Sequence, residues 1–531
     1  MLFNSYGFIF FFLPVTFVVF FAIGARHRLL AAAWLTAASL FFYGWWNPKY
    51  VVLLSASIVF NYATGRLLAA HQAPAQAAVR KHLLAAGVAA NLLLLGYFKY
   101  ANFLLDTLNA AAGTGLSLGE IILPLGISFF TFTQIAFLVD TCRGEVKEYN
   151  FVHYALFVTY FPHLIAGPVL HHKEMMPQFG EPSTYRIDAR NLAVGLAIFS
   201  VGLFKKTVLA DGIAPYATQV FSATARGDAP TLFTAWGGVL AYSVQLYYDF
   251  SGYSDMAIGL SRLFGIVLPL NFFSPYRAVN IIDFWRRWHM TLSRFLRDYL
   301  YFPLGGNRHG RMRRYVNLMV TMLLGGLWHG AGWTFIVWGG LHGLYLVINH
   351  AWRVLRSRVL GHDLSRSTGW GRLAARTITL LAVVVGWVFF RAQDFPTAVS
   401  LLKGMSGMNG ATLPVEILRV AGPLGAFAES LGITAQPGGA SKFALTWIWV
   451  AVLWAIALLA PNVAQWMGRE NPALDYAAVS GAPAPGAQAR AAATAYLLWS
   501  PSAGWAAAVA LLTACSVLSL THVSEFLYFQ F

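Results

Sequence analysis

Long apolar stretches separated by short polar segments run along nearly the whole chain. Most hold about 20 residues, enough for a helix to cross ~30 Å of hydrocarbon. Because they are apolar on every side and do not alternate, spanning helices are predicted and barrel strands are not. We place roughly a dozen spans, near residues 7–25, 29–46, 50–70, 83–105, 121–139, 151–170, 192–210, 232–265, 315–350 (a helical pair), 373–391, 443–460 and 496–520.

The amino-acid composition also indicates a membrane protein. Of the 531 residues, 58% are hydrophobic and only 11% are charged, whereas soluble domains carry roughly 25% charged residues. The chain is therefore predicted to be an all-α polytopic membrane protein. Its net charge of +16 is interpreted as a determinant of orientation in the membrane and not as a nucleic-acid footprint.

The basic residues fall after odd-numbered spans. Arg26 and Arg28 follow the first span and Arg66 and Arg80 follow the third, whereas residues 106–120 contain no Lys or Arg. Since basic loops stay in the cytoplasm, the N-terminus is predicted to be periplasmic. The first apolar stretch lacks a basic leader and a small-residue cleavage site, so we expect a retained span and not a signal peptide.

No internal repeat is visible, so the chain is interpreted as one helical domain, residues 1–531. Its chemistry is concentrated in a motif core at 245–345. Two stretches, 403–442 and 471–495, are rich in Gly, Pro or Ala and are predicted to be loop-like insertions.

Residues 281–301, IIDFWRRWHMTLSRFLRDYLY, are too charged to cross lipid at low cost. At about 100° per residue they predict one amphipathic helix at the cytoplasmic boundary. Its basic face carries Arg286, Arg287, Arg294 and Arg297. This face suits either anionic lipid or the phosphates of a soluble donor such as coenzyme A.

Two histidines are the main catalytic candidates. His329 follows paired glycines in GGLWHGA, and an ionisable residue at membrane depth is a functional hypothesis by default. A neutral imidazole there could accept a proton from a hydroxyl that attacks a thioester. His289, at the edge of the apolar side of the amphipathic helix, or the Trp285 indole could hold the acyl carbonyl. For His289 the simpler alternative is a packed interfacial side chain.

A polar run, QLYYDFSGYSD, interrupts the apolar residues at 245–255 and contributes Asp249, Ser251, Tyr253 and Asp255. It is interpreted either as a re-entrant bend or as the lining of a donor tunnel. Pairing of Asp249 or Asp255 with the arginines is a further alternative. The spacing of His, Cys, Asp and Glu does not predict a metal site, and the His171 and His172 pair is a weak signal.

Several of these segments resemble one family. FWRRWHMTLSRFLRDYLYFPLGGNR (284–308) and NLMVTMLLGGLWHGAGWTFIVWGGLHG (317–343) are similar to the membrane-bound O-acyltransferase (MBOAT) family, within it the bacterial branch of alginate O-acetylation membrane proteins. The same branch is matched by LGYFKYANF (95–103), LPLGISFFTF (123–132), FPHLIAGPV (161–169) and QLYYDFSGYSDMAIGL (245–260).

The resemblance implies a ring of helices around a central tunnel in the bacterial inner membrane. It assigns His329 as the catalytic residue and His289 as the second polar position, with Trp285, Trp288 and Trp328 expected along the tunnel. Acetyl-CoA is the implied cytoplasmic acyl donor, and no bound cofactor is expected. The implied acceptor is a polysaccharide or a periplasmic SGNH-type acetyltransferase that modifies it.

The polymer stays open at this point. Alginate is the first expectation, and peptidoglycan or cellulose O-acetylation would use the same chemistry. A non-enzymatic polysaccharide conduit or a scaffold is the competing class. A conduit would be favoured by repeat symmetry and by charged residues in several spans, and the sequence shows neither pattern.

Overall fold

The computed structural model describes residues 1–165, 167–364, 368–480, 498–521 and 527. These residues pack into two compact units. The first unit contains Met1–Phe204, Ser251–Asn271 and Val463–Thr521, and the second contains Lys205–Phe250, Phe272–Asn462 and Leu527. Within the described part of the chain, regular structure is helical except for two strands of three residues each.

The first unit is built from apolar helices that follow one another closely in sequence. Its helices are Leu13–Gly24, Arg28–Gly44, Lys49–Ala70, Ala77–Leu95, Ala101–Ala112, Ile127–Cys142, Phe151–Thr159, Phe161–Leu164, His172–Gly180, Ala189–Phe204, the part of Leu232–Leu263 from Ser251 onward, Val463–Trp466, Tyr476–Ser480 and Ala503–Leu518.

The second unit has fewer and on average longer helices. They are Asp211–Ala225, the part of Leu232–Leu263 up to Phe250, Ile281–Trp285, Met290–Leu296, Gly310–His329, Trp333–Val354, Gly369–Arg391, Phe395–Met405, Val415–Val420, Pro423–Ser430 and Ala440–Leu459. Its core is dominated by large aromatic side chains, among them Tyr242, Trp338 and Trp387.

Five helical stretches of the described chain are long and apolar enough to cross a membrane: Lys49–Ala70, Pro74–Ala112, Ala189–Ala225, Gly369–Arg391 and Ala440–Leu459. Shorter apolar helices are Phe8–Gly24, Arg28–Gly44, Ile127–Cys142 and Ala503–Leu518. The predicted all-α membrane class is confirmed, because each of these stretches coincides with a predicted apolar span.

One predicted span is wrong. Residues 151–170 do not form a single helix, because the helix Phe151–Thr159 ends at Tyr160 and only the single turn Phe161–Leu164 follows. The reason is Pro162, which lacks the backbone N–H that a continuous helix would need there and instead occupies the first turn of a new helix, where proline is tolerated. The Asn150 side chain fixes the other end of Phe151–Thr159 by accepting the N–H groups of Val152 and His153.

The predicted loop at 403–442 is also wrong in part. Thr412–Pro414 and Thr434–Gln436 pair as parallel strands, and the helices Val415–Val420 and Pro423–Ser430 form the connection between them. Parallel strands need such a crossover, which a run of Gly and Pro does not reveal in sequence. Of the other insertion, 471–495, residues up to 480 are described and include the helix Tyr476–Ser480; the remainder lies outside the described residues.

The helices Gly310–His329 and Trp333–Val354 approach each other very closely. A Cβ on Gly326 would lie 2.3 Å from the Phe335 carbonyl oxygen, and one on Gly339 would lie 2.3 Å from that of Met322. Both positions therefore require glycine, as expected for closely packed membrane helices. This contact fixes the end of the first helix, where His329 lies.

Candidate active site

His329 is the last residue of the helix Gly310–His329, and the chain turns at once into extended backbone at Gly330. The side chain is only 7% exposed. Its ring centroid lies 5.1 Å from that of Trp338, 5.2 Å from that of Phe390 and 5.0 Å from that of Trp328. The imidazole is thus held at a helix end inside an aromatic shell.

The prediction of one amphipathic helix over 281–301 is wrong, because the helix is interrupted just before and at His289. The structure has a helix Ile281–Trp285, a break, and a second helix that starts at Met290. His289 sits in the break with left-handed backbone angles, φ 42° and ψ 54°, which cost a non-glycine residue about 1 kcal/mol or more. The Phe273 N–H donates to the Arg287 carbonyl at 2.9 Å and so ties the break to a neighbouring segment.

The break changes where the His289 ring lies. A continuous helix would leave it at the edge of the apolar side, whereas in the structure it is fully buried and perpendicular to Phe250, at 4.7 Å between ring centroids. Burial away from water lowers the pKa of His289 from its ordinary value of 6.5, so the ring is neutral at pH 7.

The two imidazoles come together. Their ring centroids are 6.4 Å apart, close enough for both to contact one small acyl group. Each neutral imidazole has one N–H donor and one acceptor nitrogen. The pair can therefore accept a proton at one ring and donate a hydrogen bond from the other.

The three predicted tunnel tryptophans surround this pair to different degrees. Trp328 lies beside both imidazoles, and its ring centroid is 6.2 Å from that of His289 and 5.0 Å from that of His329. Trp288 is buried and packs on Trp387 at 4.9 Å. Trp285 lies 5.9 Å from Trp338, and no described residue accepts a hydrogen bond from its buried indole N–H.

His342 is a further buried imidazole near the site, which was not among the residues that the sequence pointed to. It is completely buried and lies 4.8 Å from Trp338 and 5.2 Å from Trp285. Neither ring nitrogen has a hydrogen-bond partner among the described residues, which is unusual for a buried imidazole. A helix turn separates Trp338 from His342, and this spacing was the available signal.

The four arginines do not form one free basic face. Arg287 donates to Asp283 at 2.8 Å and lies over the Phe273 ring, and Arg297 donates to Asp298 at 2.8 Å. Arg294 is half-buried, and Arg286 is exposed to solvent. Asp283 and Asp298, which the helical projection also places on the arginine face, thus offset part of its positive charge.

The polar run 245–255 is not a re-entrant bend, because it lies inside the continuous helix Leu232–Leu263. Asp249 pairs with Lys206 at 2.6 Å, a partner that the sequence analysis did not suggest. Lys206 also pairs with Asp211 at 2.7 Å. A lysine inside the apolar run at 192–210 was the signal for this cluster, since a charge at that depth needs a partner.

The other members of the polar run belong to the first unit. Ser251 is buried, Asp255 is half-buried, and the Tyr253 ring stacks on Phe3 at 4.6 Å. In the same unit, His172 lies 3.2 Å from Asp140, and His171 caps the helix His172–Gly180.

The second unit therefore defines a class of protein: a predominantly helical membrane protein in which two buried imidazoles lie close together, one at a helix break and one at a helix end. A family model described as the membrane-bound O-acyltransferase family matches residues 129–385. The chain belongs to this family and is an acyltransferase.

Relatives of known name show which members of the family this chain is similar to. The peptidoglycan O-acetyltransferase of Helicobacter pylori is 46% identical over 440 residues, covering 78% of this chain and 81% of the relative. The probable alginate O-acetylase AlgI of Pseudomonas aeruginosa is 43% identical over 410 residues, covering 76% and 75%. The teichoic acid D-alanyltransferase of Streptococcus thermophilus is 28% identical over 289 residues, covering 50% and 68%.

Proposed function

We propose that this acyltransferase takes acetyl from cytoplasmic acetyl-CoA and moves it across the inner membrane to a periplasmic acceptor, which is an exopolysaccharide or a partner acetyltransferase. Alginate is the first candidate polymer. The observation that carries the proposal is the buried pair of His289 and His329, 6.4 Å apart between ring centroids. The names of the 43% and 46% identical relatives support acetyl as the group transferred.

The proposed chemistry uses the imidazole of His329 as general base. It accepts the proton of an acceptor hydroxyl while the hydroxyl oxygen bonds to the thioester carbonyl carbon. The tetrahedral intermediate then expels the coenzyme A thiolate, which takes the proton from the His329 imidazolium as the carbon–sulfur bond breaks. A neutral His329 suits this role, because a ring that is already protonated could not begin the step.

Two donors are proposed to stabilise the oxyanion of that intermediate. One is the N–H of the His289 ring, and the other is the indole N–H of Trp285, which has no acceptor among the described residues. Donors fixed in a water-poor aromatic shell are worth more than donors in water, because they need no reorganisation as charge develops.

Residues 281–301, which carry the four arginines, are proposed to bind the phosphates of the donor. Arg286 is the candidate for direct contact, since it is exposed, whereas Arg287 is bound to Asp283. A second group of basic residues, Arg308, Arg311, Arg313 and Arg314, lies at the start of the helix Gly310–His329, at the opposite end of that helix from His329.

The test is the substitution His329→Ala. We expect acetyl transfer from radiolabelled acetyl-CoA to fall about 100-fold or more in membranes that contain the variant, the usual size of a general-base contribution. The exposed His362→Ala variant, made and assayed in parallel, should retain normal activity. Equal amounts of membrane-inserted protein must be verified. Near-normal transfer by His329→Ala would remove this residue from the chemistry and favour a scaffold or conduit role.

Peptidoglycan is the second candidate polymer, because the Helicobacter pylori relative carries that name. Separating the labelled acetyl esters of the cell wall from those of secreted polysaccharide in the same cells distinguishes the two. Label in the cell wall alone would assign the chain to peptidoglycan, and label in the secreted fraction would support alginate or a similar exopolysaccharide.

A further inference from the structure

A groove of about 250 Å³ lies in the second unit, at one end of three helices. It is formed where Asp211–Ala225 ends and where Leu232–Leu263 and Ala440–Leu459 begin, and the two short strands contribute to its wall. We call this site the strand groove. It is distinct from the histidine pair, whose residues are not among those that line it.

Aromatic rings form much of the strand groove. Tyr216, Phe233, Phe443 and Trp447 all line it, and all four residues are half-buried. Gly237 on the facing helix leaves space at the bottom of the groove, because a Cβ there would already touch Thr446 at 3.4 Å. Such rings offer apolar faces of the size of a pyranose ring, which presents axial C–H groups on its own faces.

The remaining lining is polar and has one charge. Gln219, Gln436 and Thr412 supply amide and hydroxyl groups, and Lys442 supplies the cation. The lining contains no Asp or Glu, and Lys442 makes no ion pair with any residue in the described ranges. Aromatic faces with a few convergent amide, hydroxyl and ammonium groups match a ligand that carries hydroxyls and a carboxylate.

The arginines that precede the helix Gly369–Arg391 favour a periplasmic position for this end of the helices. Arg372 and Arg376 lie near the start of the helix Gly369–Arg391, and Arg356 and Arg358 precede it. This helix of 23 residues is about 34 Å long, so the segment after it emerges at the opposite end from these arginines. That segment carries the strands of the groove. If the basic end is cytoplasmic, the groove is periplasmic.

We propose that the strand groove binds a carboxylate-bearing pyranose chain, the acceptor glycan, on the periplasmic face. The inference rests on the proposed function, which it deepens by assigning a site to the acceptor. Lys442 pairs with a sugar carboxylate, and Trp447 stacks on a ring. A mannuronate polymer and a muramic-acid glycan share this chemistry, and direct binding measurements separate them.

The test measures binding to the purified full-length protein in nanodiscs by isothermal titration. The probes are a mannuronate tetrasaccharide, the disaccharide of N-acetylglucosamine and N-acetylmuramic acid, and neutral maltotetraose. We expect at least one acidic probe to bind about tenfold more tightly than maltotetraose. Whichever acidic probe binds identifies the source of the glycan.

Variants locate the binding in the groove. Trp447→Ala should weaken binding of the acidic probe about tenfold, whereas Trp449→Ala, two residues along the same helix and packed on Gly212, should not. Lys442→Gln should remove the preference for the acidic probe, whereas Lys403→Gln, an exposed lysine outside the lining, should leave it unchanged. Trp447→Phe keeps an aromatic face and controls for misfolding.

Three results would overturn the inference: no binding of either acidic probe, equal effects of Trp447→Ala and Trp449→Ala, or an unchanged acid preference in Lys442→Gln. The His329→Ala variant separates this inference from the proposed function. It should bind the sugar as the natural chain does, so a failure of catalysis at His329 and a failure of binding at the groove are observed independently.

Discussion

At the residue scale, the backbone of one histidine decides the candidate chemistry. His289 adopts left-handed angles that a side chain rarely tolerates, and that conformation lets its fully buried ring come within 6.4 Å of the His329 ring. Strained backbone of this kind concentrates at functional sites, where surrounding structure holds it in place. The helix projection from sequence had no means of detecting it, because a break of four residues is too short to change the apolar pattern.

Lys206 is a second residue whose setting has measurable consequences. Its side chain is 1% exposed and bonds to Asp211 and Asp249, which are nearly as buried. Replacing it by methionine would remove the ammonium group that both carboxylates bind, and breaking a buried pair costs about 3–5 kcal/mol. We expect Lys206→Met to lower the thermal unfolding temperature of the purified protein in micelles by several degrees.

The matched control for this prediction is Lys205→Met, since the adjacent lysine is only half-buried. Adding Asp211→Asn and Asp249→Asn to Lys206→Met should restore much of the lost stability, because the amides no longer require a cation. A Lys206→Met protein that unfolds at the natural temperature would show that the cluster contributes little to the fold.

At the element scale, the glycine contact between two helices positions His329. The helices Gly310–His329 and Trp333–Val354 touch through Gly326 and Gly339, whose hydrogens face backbone atoms of the other helix. The sequence predicted the helical pair, and the glycines that could bring the two helices together are visible in it. It could not show which of the neighbouring glycines makes the contact, because that depends on the rotation of each helix about its axis.

Gly339→Ala tests this contact. The new methyl carbon would lie 2.3 Å from the Met322 carbonyl oxygen, so the helices must separate, at a cost of about 1–3 kcal/mol. The shift should lower acetyl transfer as well as stability, because His329 ends the displaced helix. Activity and unfolding temperature of Gly339→Ala are to be compared with those of Gly340→Ala.

The Gly340→Ala control differs by one position. Its methyl carbon would meet only the Leu323 side chain, at an ordinary 3.5 Å, so that variant should behave as the natural protein does. If both variants are equally active and stable, the close approach of these helices does not matter for the site.

At the scale of the whole molecule, the distribution of basic residues predicts sidedness. Arginines cluster between the helices Trp333–Val354 and Gly369–Arg391 and before Gly310–His329, and the preference of basic loops for the cytoplasm predicts that those ends are cytoplasmic. Inverted inner-membrane vesicles supplied with external acetyl-CoA should therefore transfer acetyl, whereas sealed right-side-out vesicles should not. Transfer by the right-side-out vesicles alone would reverse the assigned orientation.

The membrane class of this protein follows from sequence alone. Apolar runs of about 20 residues can satisfy their backbone groups in lipid only as helices, so composition and run length were enough to locate most elements. The GLWHGA and FWRRWH motifs likewise indicated both histidines and the family, since each motif is local in sequence. The exceptions at 151–170 and 403–442 lie where a proline or a strand crossover overrides the hydropathy pattern.

Tertiary structure alone decided which side chains meet. Lys206 with Asp249, His289 with His329, and the walls of the strand groove each join segments far apart in sequence. A run of apolar residues specifies that a helix forms, but it is apolar all round and so leaves the helix's rotation and neighbours open. Those are fixed by side-chain packing and by the pairing of buried charges, which exist only once the chain has folded.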